Sequence, residues 1–96
     1  MKEIEYRVSV GSASTDGTVF VHDNATDDEI RVAIMDRLYS VTYKIVDNGS
    51  YRSAEYVVDV GGGATYGEVI INDDADENAI LLAICDRLYD VTYHDA

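Results

Sequence analysis

The densest groups of chemically capable side chains in this sequence are two runs of acids: Asp23, Asp27, Asp28 and Glu29, then Asp73, Asp74, Asp76 and Glu77. Several carboxylate oxygens brought together are what a hard cation such as calcium requires. The segment Asp74-Ala75-Asp76-Glu77-Asn78 even opens like an EF-hand loop, but Ala79 stands where the sharp turn demands Gly and Cys85 where the bidentate Glu belongs. Both runs also lead into an apolar pattern of helical spacing, where free N–H groups and the helix dipole favour carboxylates without any ion. These acids are therefore expected to cap helices and face solvent, with no metal bound.

The other candidates for chemistry are weaker. Gly61-Gly62-Gly63-Ala64-Thr65-Tyr66-Gly67 has the composition of a phosphate cradle, yet it carries no Lys and lies between two strand patterns, so it reads as a hairpin turn. The two histidines, His22 and His94, and the single Cys85 supply too few nitrogen and sulfur donors for a zinc site. No spacing sets a nucleophile against a base. The chain reads as non-enzymatic, with no catalytic residue and no cofactor.

These residues sit on a sequence written twice. A shift of 50 residues lays Ile4–Tyr43 on Ala54–Tyr93 without a gap, and 20 of the 40 aligned positions are identical. The longest shared run, Asp36-Arg37-Leu38-Tyr39 followed by Val41-Thr42-Tyr43, returns as Asp86-Arg87-Leu88-Tyr89 and Val91-Thr92-Tyr93. A gapless period of this kind marks a duplicated supersecondary unit held as a built-in pseudo-dimer.

Within each copy, alternation at Ile4, Tyr6, Val8 and Val10, and at Ala54, Tyr56, Val58 and Val60, marks a half-buried strand. A turn over Gly11–Gly17 or Gly61–Gly67 leads to a second strand, predicted over Thr18–Asp23 and Glu68–Asp73. Thr26 and Glu29 have capping-box spacing, and Asp76 takes the cap position in the second copy. Ile30, Ala33, Ile34 and Leu38, like Ile80, Ala83, Ile84 and Leu88, then recur at helical spacing until near Tyr39 and Tyr89. Strand alternation resumes over Val41–Val46 and Asp90–His94. Asn48-Gly49 is a hairpin signal that joins the third strand of the first repeat to the first strand of the second, Tyr51–Val60. The pseudo-two-fold then returns the last strand to the first. The predicted fold is α+β, an internally duplicated ββαβ unit forming a pseudo-two-fold antiparallel sheet assembly of six strands with two packed helices. It is one domain over 1–96, built from repeats 1–50 and 51–96.

Leu81, Leu82, Cys85 and Tyr89 add a second apolar stripe to helix two where the first copy has Arg31, Val32, Met35 and Tyr39. Packing of the two helices on each other is the favoured explanation, and a homodimer contact through those four residues is the alternative. Arg37 and Arg87 are expected to pair with strand carboxylates. Six of the eight tyrosines match across the repeats, Tyr6 with Tyr56, Tyr39 with Tyr89 and Tyr43 with Tyr93, and are expected mostly in the core. Tyr51 and Tyr66 are the expected exposed anchors.

Nineteen acidic residues against seven basic ones give a formal charge of -12. That balance disfavours direct binding to nucleic acid or to an anionic membrane. No apolar run is long enough to span a bilayer and no leader is evident, so a cytoplasmic site is expected by default. The expected partner is a protein, basic in character, such as a nuclease or DNA-binding protein. Outward positions on a strand recur every ~6.6 Å. Glu3 with Glu5, and Glu55 with Asp59, then form rows of negative charge that imitate a duplex. Asp27, Asp28, Asp73 and Asp74 add to them, with Tyr51 and Tyr66 as anchors. In size and charge, though in no motif, this parallels the small acidic DNA-mimic inhibitors carried by phages, the anti-CRISPR and anti-restriction proteins. The competing expectation is a structural or self-assembling domain in which outward Val57 and Ile70 join the helix-two stripe, while acidity serves only solubility.

Overall fold

Each repeat is strand, strand, helix, strand, and the third strand of each leaves its own repeat to complete the other. The computed structural model describes residues 1–96. Its elements are β1 (Lys2–Ser9), β2 (Ser14–Val21), α1 (Asp27–Met35), β3 (Ser40–Asp47), β4 (Arg52–Asp59), β5 (Ala64–Ile71), α2 (Glu77–Cys85) and β6 (Asp90–Asp95). The six strands make two antiparallel sheets of three, β2-β1-β6 (sheet A) and β3-β4-β5 (sheet B). β3 pairs with β4 from Ser40↔Asp59 to Asp47↔Arg52, and β6 pairs with β1 from Ser9↔Asp90 to Ile4↔Asp95. The connection between the repeats is closed by Asn48, whose side-chain oxygen accepts from the N–H groups of Ser50 and Tyr51 at 3.2 Å each.

Alternation decides which face of each sheet is dry. Ile4, Tyr6 and Val8 of β1 and Ala54, Tyr56 and Val58 of β4 are buried, while Glu3, Glu5, Glu55 and Val57 between them are exposed. Eighteen of the 20 buried residues, drawn from both repeats, form one cluster that includes Ile30, Ile34 and Leu38 of the first and Ile80, Ile84 and Leu88 of the second. α1 and α2 touch each other, and each also touches the second strand of its own repeat. This helix pairing takes up most of the extra stripe of α2, since Leu81 and Cys85 are buried and Leu82 is half-buried.

Three local expectations are corrected. The second strands begin at Ser14 and Ala64, so Gly17 and Gly67 lie inside strands and the turns are confined to the residues between Val10 and Ala13 and between Val60 and Gly63. The glycines answer to the tyrosines opposite them: Tyr6 pairs with Gly17 and Tyr56 with Gly67. A Cβ on Gly17 would stand 2.5 Å from the Tyr6 hydroxyl, and one on Gly67 2.8 Å from that of Tyr56. The ring occupies the space of the missing side chain, which is why a residue that reads as a turn former works in a strand. The helices stop at Met35 and Cys85, short of Tyr39 and Tyr89, because Arg37 N–H bonds to Ile34 O and Arg87 N–H to Ile84 O, both at 2.9 Å. This tight turn puts Leu38 and Leu88 in the core and leaves Tyr39 and Tyr89 exposed, the two of the six matched tyrosines that stand outside the expected core.

The repeats meet where their first turns touch. A Cβ on Gly63 would lie 2.9 Å from the Cβ of Ala13 and 3.0 Å from the Ser12 Oγ, so the second copy has Gly where the first has Ala. β2 and β5 start beside this contact and run away from it through eight residues each, in a molecule 45 × 31 × 16 Å.

α1 begins with a complete capping box. Thr26 Oγ1 accepts from Glu29 N–H at 3.2 Å, and Glu29 Oε1 accepts from Thr26 N–H at 2.9 Å. The backbone bond from Thr26 holds the Glu29 carboxyl below its ordinary range. α2 has only half of this device, Asp76 Oδ1 accepting from Ala79 N–H at 2.8 Å, because Ala79 replaces the reciprocal Glu. Thr26→Ala is expected to cost about 1 kcal/mol, read from urea unfolding curves. Because the folded-state carboxyl is more acidic than the unfolded one, the contribution of Glu29 is present above the unfolded pKa and is lost as pH falls through the folded one.

Candidate protein-binding surface

Eighteen of the nineteen carboxylates are exposed, with only Asp59 half-buried. The structure distributes the sequence-predicted binding residues over several separate places rather than one. Glu3 and Glu5 project from the outer face of sheet A, beside Phe20, Thr18 and His94 in register. Glu55, Asp59 and Tyr66 project from the outer face of sheet B. Asp27 and Asp28, and Asp73 and Asp74, stand at the leads into the two helices, with Tyr51 in the β3–β4 connection. The two strand rows are not symmetric copies, since Glu3 corresponds to Ser53 and Asp59 to Ser9; only Glu5 and Glu55 match.

Several of these acids already have partners. His94 Nε2 lies 2.9 Å from Glu5 Oε1, and Arg31 lies 3.3 Å from Asp28. Tyr93 on β6 donates its hydroxyl to Asp27 Oδ1 at 2.8 Å, tying the exchanged strand to α1. Asp59 accepts from Gly61 N–H at 2.7 Å and so shapes its own turn. Arg52 donates to the Asp73 carbonyl, which anchors the lead into α2. Asp74 is exposed and makes no side-chain bond within the chain. Asp74–Asn78, the stretch with the opening of a calcium loop, runs from the turn before α2 through the cap residue Asp76 into the first turn of the helix.

Ion pairing is confined to one side of the molecule. All five ion pairs, Met1 N-terminus–Asp23, Lys2–Asp95, Arg7–Asp16, Arg31–Asp28 and His94–Glu5, lie on sheet A and α1. Sheet B and α2 have none, although they carry Glu55, Glu68, Asp73, Asp74, Glu77 and Asp86 in exposed positions. Arg37 and Arg87 do not make the expected pairs with strand carboxylates; the turn that ends each helix sends both into solvent.

The four positions offered for the alternative homodimer contact divide sharply. Leu81 and Cys85 are interior, Leu82 is half-buried in the groove between the helices beside Val32 and Phe20, and only Tyr89 is freely exposed. Burial, assisted by the charge of Asp86, pushes the Cys85 thiol up to about 11 from an ordinary 9.0. Ionisation is thus disfavoured in the folded state, and the associated stability is complete below pH 9 and lost as pH rises toward 11. Burial and Asp27 raise the Tyr93 hydroxyl in the same sense. Stability is expected to fall above pH 9, and in Cys85→Ala the fall between about pH 9 and 10 should flatten; denaturant titrations at each pH measure it.

Glu68 is the surface residue that the sequence pattern missed. It lies in the predicted second strand on the same face as outward Ile70, but its place opposite Glu55 and beside Tyr66 depends on the β4–β5 register and on β5 running through Gly67. Tyr66 and Ile70 are 81% and 67% exposed, and Val57, paired with Tyr66, is 45% exposed. No helix is long and apolar enough to cross a membrane. No family model, curated protein or solved structure matches the chain.

Proposed function

We propose that this chain is a non-enzymatic protein-binding module whose exposed carboxylates occupy a basic, nucleic-acid-binding surface on a partner protein and thereby inhibit it as a DNA mimic. The observation that carries this reading is the set of unpaired carboxylates on sheet B and α2. Charges without an internal partner keep their full field for an approaching cationic surface, raising the association rate and rejecting anions. The exposed acids of the leads into α1 and α2 add to that field. A partner of this kind is a nuclease or DNA-binding protein, and the inhibition is of the anti-CRISPR or anti-restriction type.

The test is capture from a cell lysate on the immobilised chain, with washes of rising salt. Basic nucleic-acid-binding proteins should be retained at low salt and released as screening grows. Glu55→Lys, Asp73→Lys and Asp74→Lys together should abolish retention. Retention indifferent to salt and to these reversals removes the proposal. The exposed Val57, Tyr66 and Ile70 favour one other reading, a self-assembling domain whose acidity serves solubility. It requires a mass above that of the monomer in sedimentation.

A further inference from the structure

The two sheets are pseudo-equivalent, but their outer faces are not. On sheet A the face is closed on itself: Arg7 pairs with Asp16 at 3.2 Å and also donates to Ser14, and His94 meets Glu5. On sheet B the matching positions hold Val57 for Arg7, Tyr66 for Asp16, Glu68 for Thr18 and Ile70 for Phe20. Glu55 and Glu68 stand directly opposite each other across β4 and β5. Like charges in that relation destabilise a sheet. Lys44, the register neighbour of Glu55 on β3, makes no ion pair with it. Glu68 is also aimed, because its Oε2 accepts from the buried Ser53 hydroxyl at 2.7 Å. The two carboxylates and Tyr66 share one shallow depression over Gly67, with Lys44 at its β3 side.

We infer that the outer face of sheet B is a docking surface for a partner segment that presents one Arg or Lys flanked by apolar side chains. The inference rests on the basic-partner reading and says where on the chain that partner is held. The cation sits between Glu55 and Glu68 and against the Tyr66 ring, relieving their repulsion and adding a cation–π contact. The flanking apolar groups cover Val57 and Ile70. Charge complementarity selects this occupant over an anionic one, and the closed face of sheet A explains why one such segment binds rather than two.

The test is an NMR titration of the whole chain with acetyl-Leu-Arg-Leu-amide, against acetyl-Leu-Glu-Leu-amide as control. The Arg peptide should shift the amides of Val57, Tyr66 and Glu68 and leave Arg7, Asp16 and Thr18 unmoved. Glu68→Gln keeps the bond from Ser53 but removes the charge, and should weaken the Arg peptide about tenfold. The same variant, free of peptide, should melt about 1–5 °C higher at low salt, a gain that disappears near 1 M salt. An unchanged or lower melting temperature overturns the claim that the pair is held against its own repulsion. Shifts confined to Asp27, Asp28, Asp73 and Asp74 overturn the docking surface while leaving the acidic-module reading standing. Equal responses to both peptides everywhere overturn both. A concentration-dependent dimer in sedimentation that Tyr66→Asp disperses places a second copy on this face and also overturns the inference.

Discussion

Produced alone, residues 1–50 should have no monomeric fold. In the intact chain β3 pairs only with β4, and β1 is flanked by β6, so a separated first repeat has one strand without any partner and one central strand bared along an edge. Its share of the core is also opened, because the cluster of 18 buried residues is drawn from both repeats. A chain of about 50 residues is marginal even with an intact core. Structure should therefore appear only in a concentration-dependent dimer, in which each copy lends its β3 to the other as β3 and β6 do in the full chain. Circular dichroism melts over a wide concentration range, with sedimentation, decide the point. A cooperative transition independent of concentration, at monomer mass, contradicts the strand exchange.

Ile84→Ala should remove about 2–5 kcal/mol, a large part of the 5–15 kcal/mol typical of a domain. Ile84 has no exposed surface and lies in the same cluster as Ile34, Val8 and Val58, so truncation leaves a cavity that both repeats line. For a domain of this size the melting temperature should fall by about 10–30 °C. Ile70→Ala is the control: the residue is 67% exposed on the outer face of sheet B, and its loss should stay within about 0.5 kcal/mol. Equal costs at the two positions would refute the assignment of faces.

Most of the fold was legible because period-2 and period-3.6 patterns report burial directly. Ile4, Tyr6 and Val8 announced a buried strand face, and Thr26 with Glu29 announced the start of α1. Asn48-Gly49 announced the β3–β4 pairing, from which the return of β6 to β1 followed by symmetry. The failures were local and had a common cause. Gly17 and Gly67 read as turn residues because their partner, a tyrosine ring on the next strand, is remote in sequence. Tyr39 and Tyr89 read as core because hydrophobic type says nothing about a turn that ends a helix early. Arg37 and Arg87 were misplaced by the same turn.

The candidate surface was legible in part. Exposure of Glu55 and Tyr66 followed from alternation and from position near a turn, but their meeting with Glu68 and Val57 did not, since register between β4 and β5 is a relation between segments. Which carboxylates remain unpaired is likewise a matter of distance, and it distinguishes sheet B and α2 from sheet A and α1.

The sequence by itself determined the duplication, the ββαβ order, the helix starts and the acidity, because each depends on residues close together in the chain or on a repeat that can be laid over itself. Tertiary structure alone decided that six strands divide into two sheets, that the apolar stripe of α2 is spent mainly inside the chain, and that one outer face is closed by ion pairs while its counterpart is left open. Those outcomes turn on which distant side chains come within a few ångströms, and such proximities are a property of packing rather than of order along the chain.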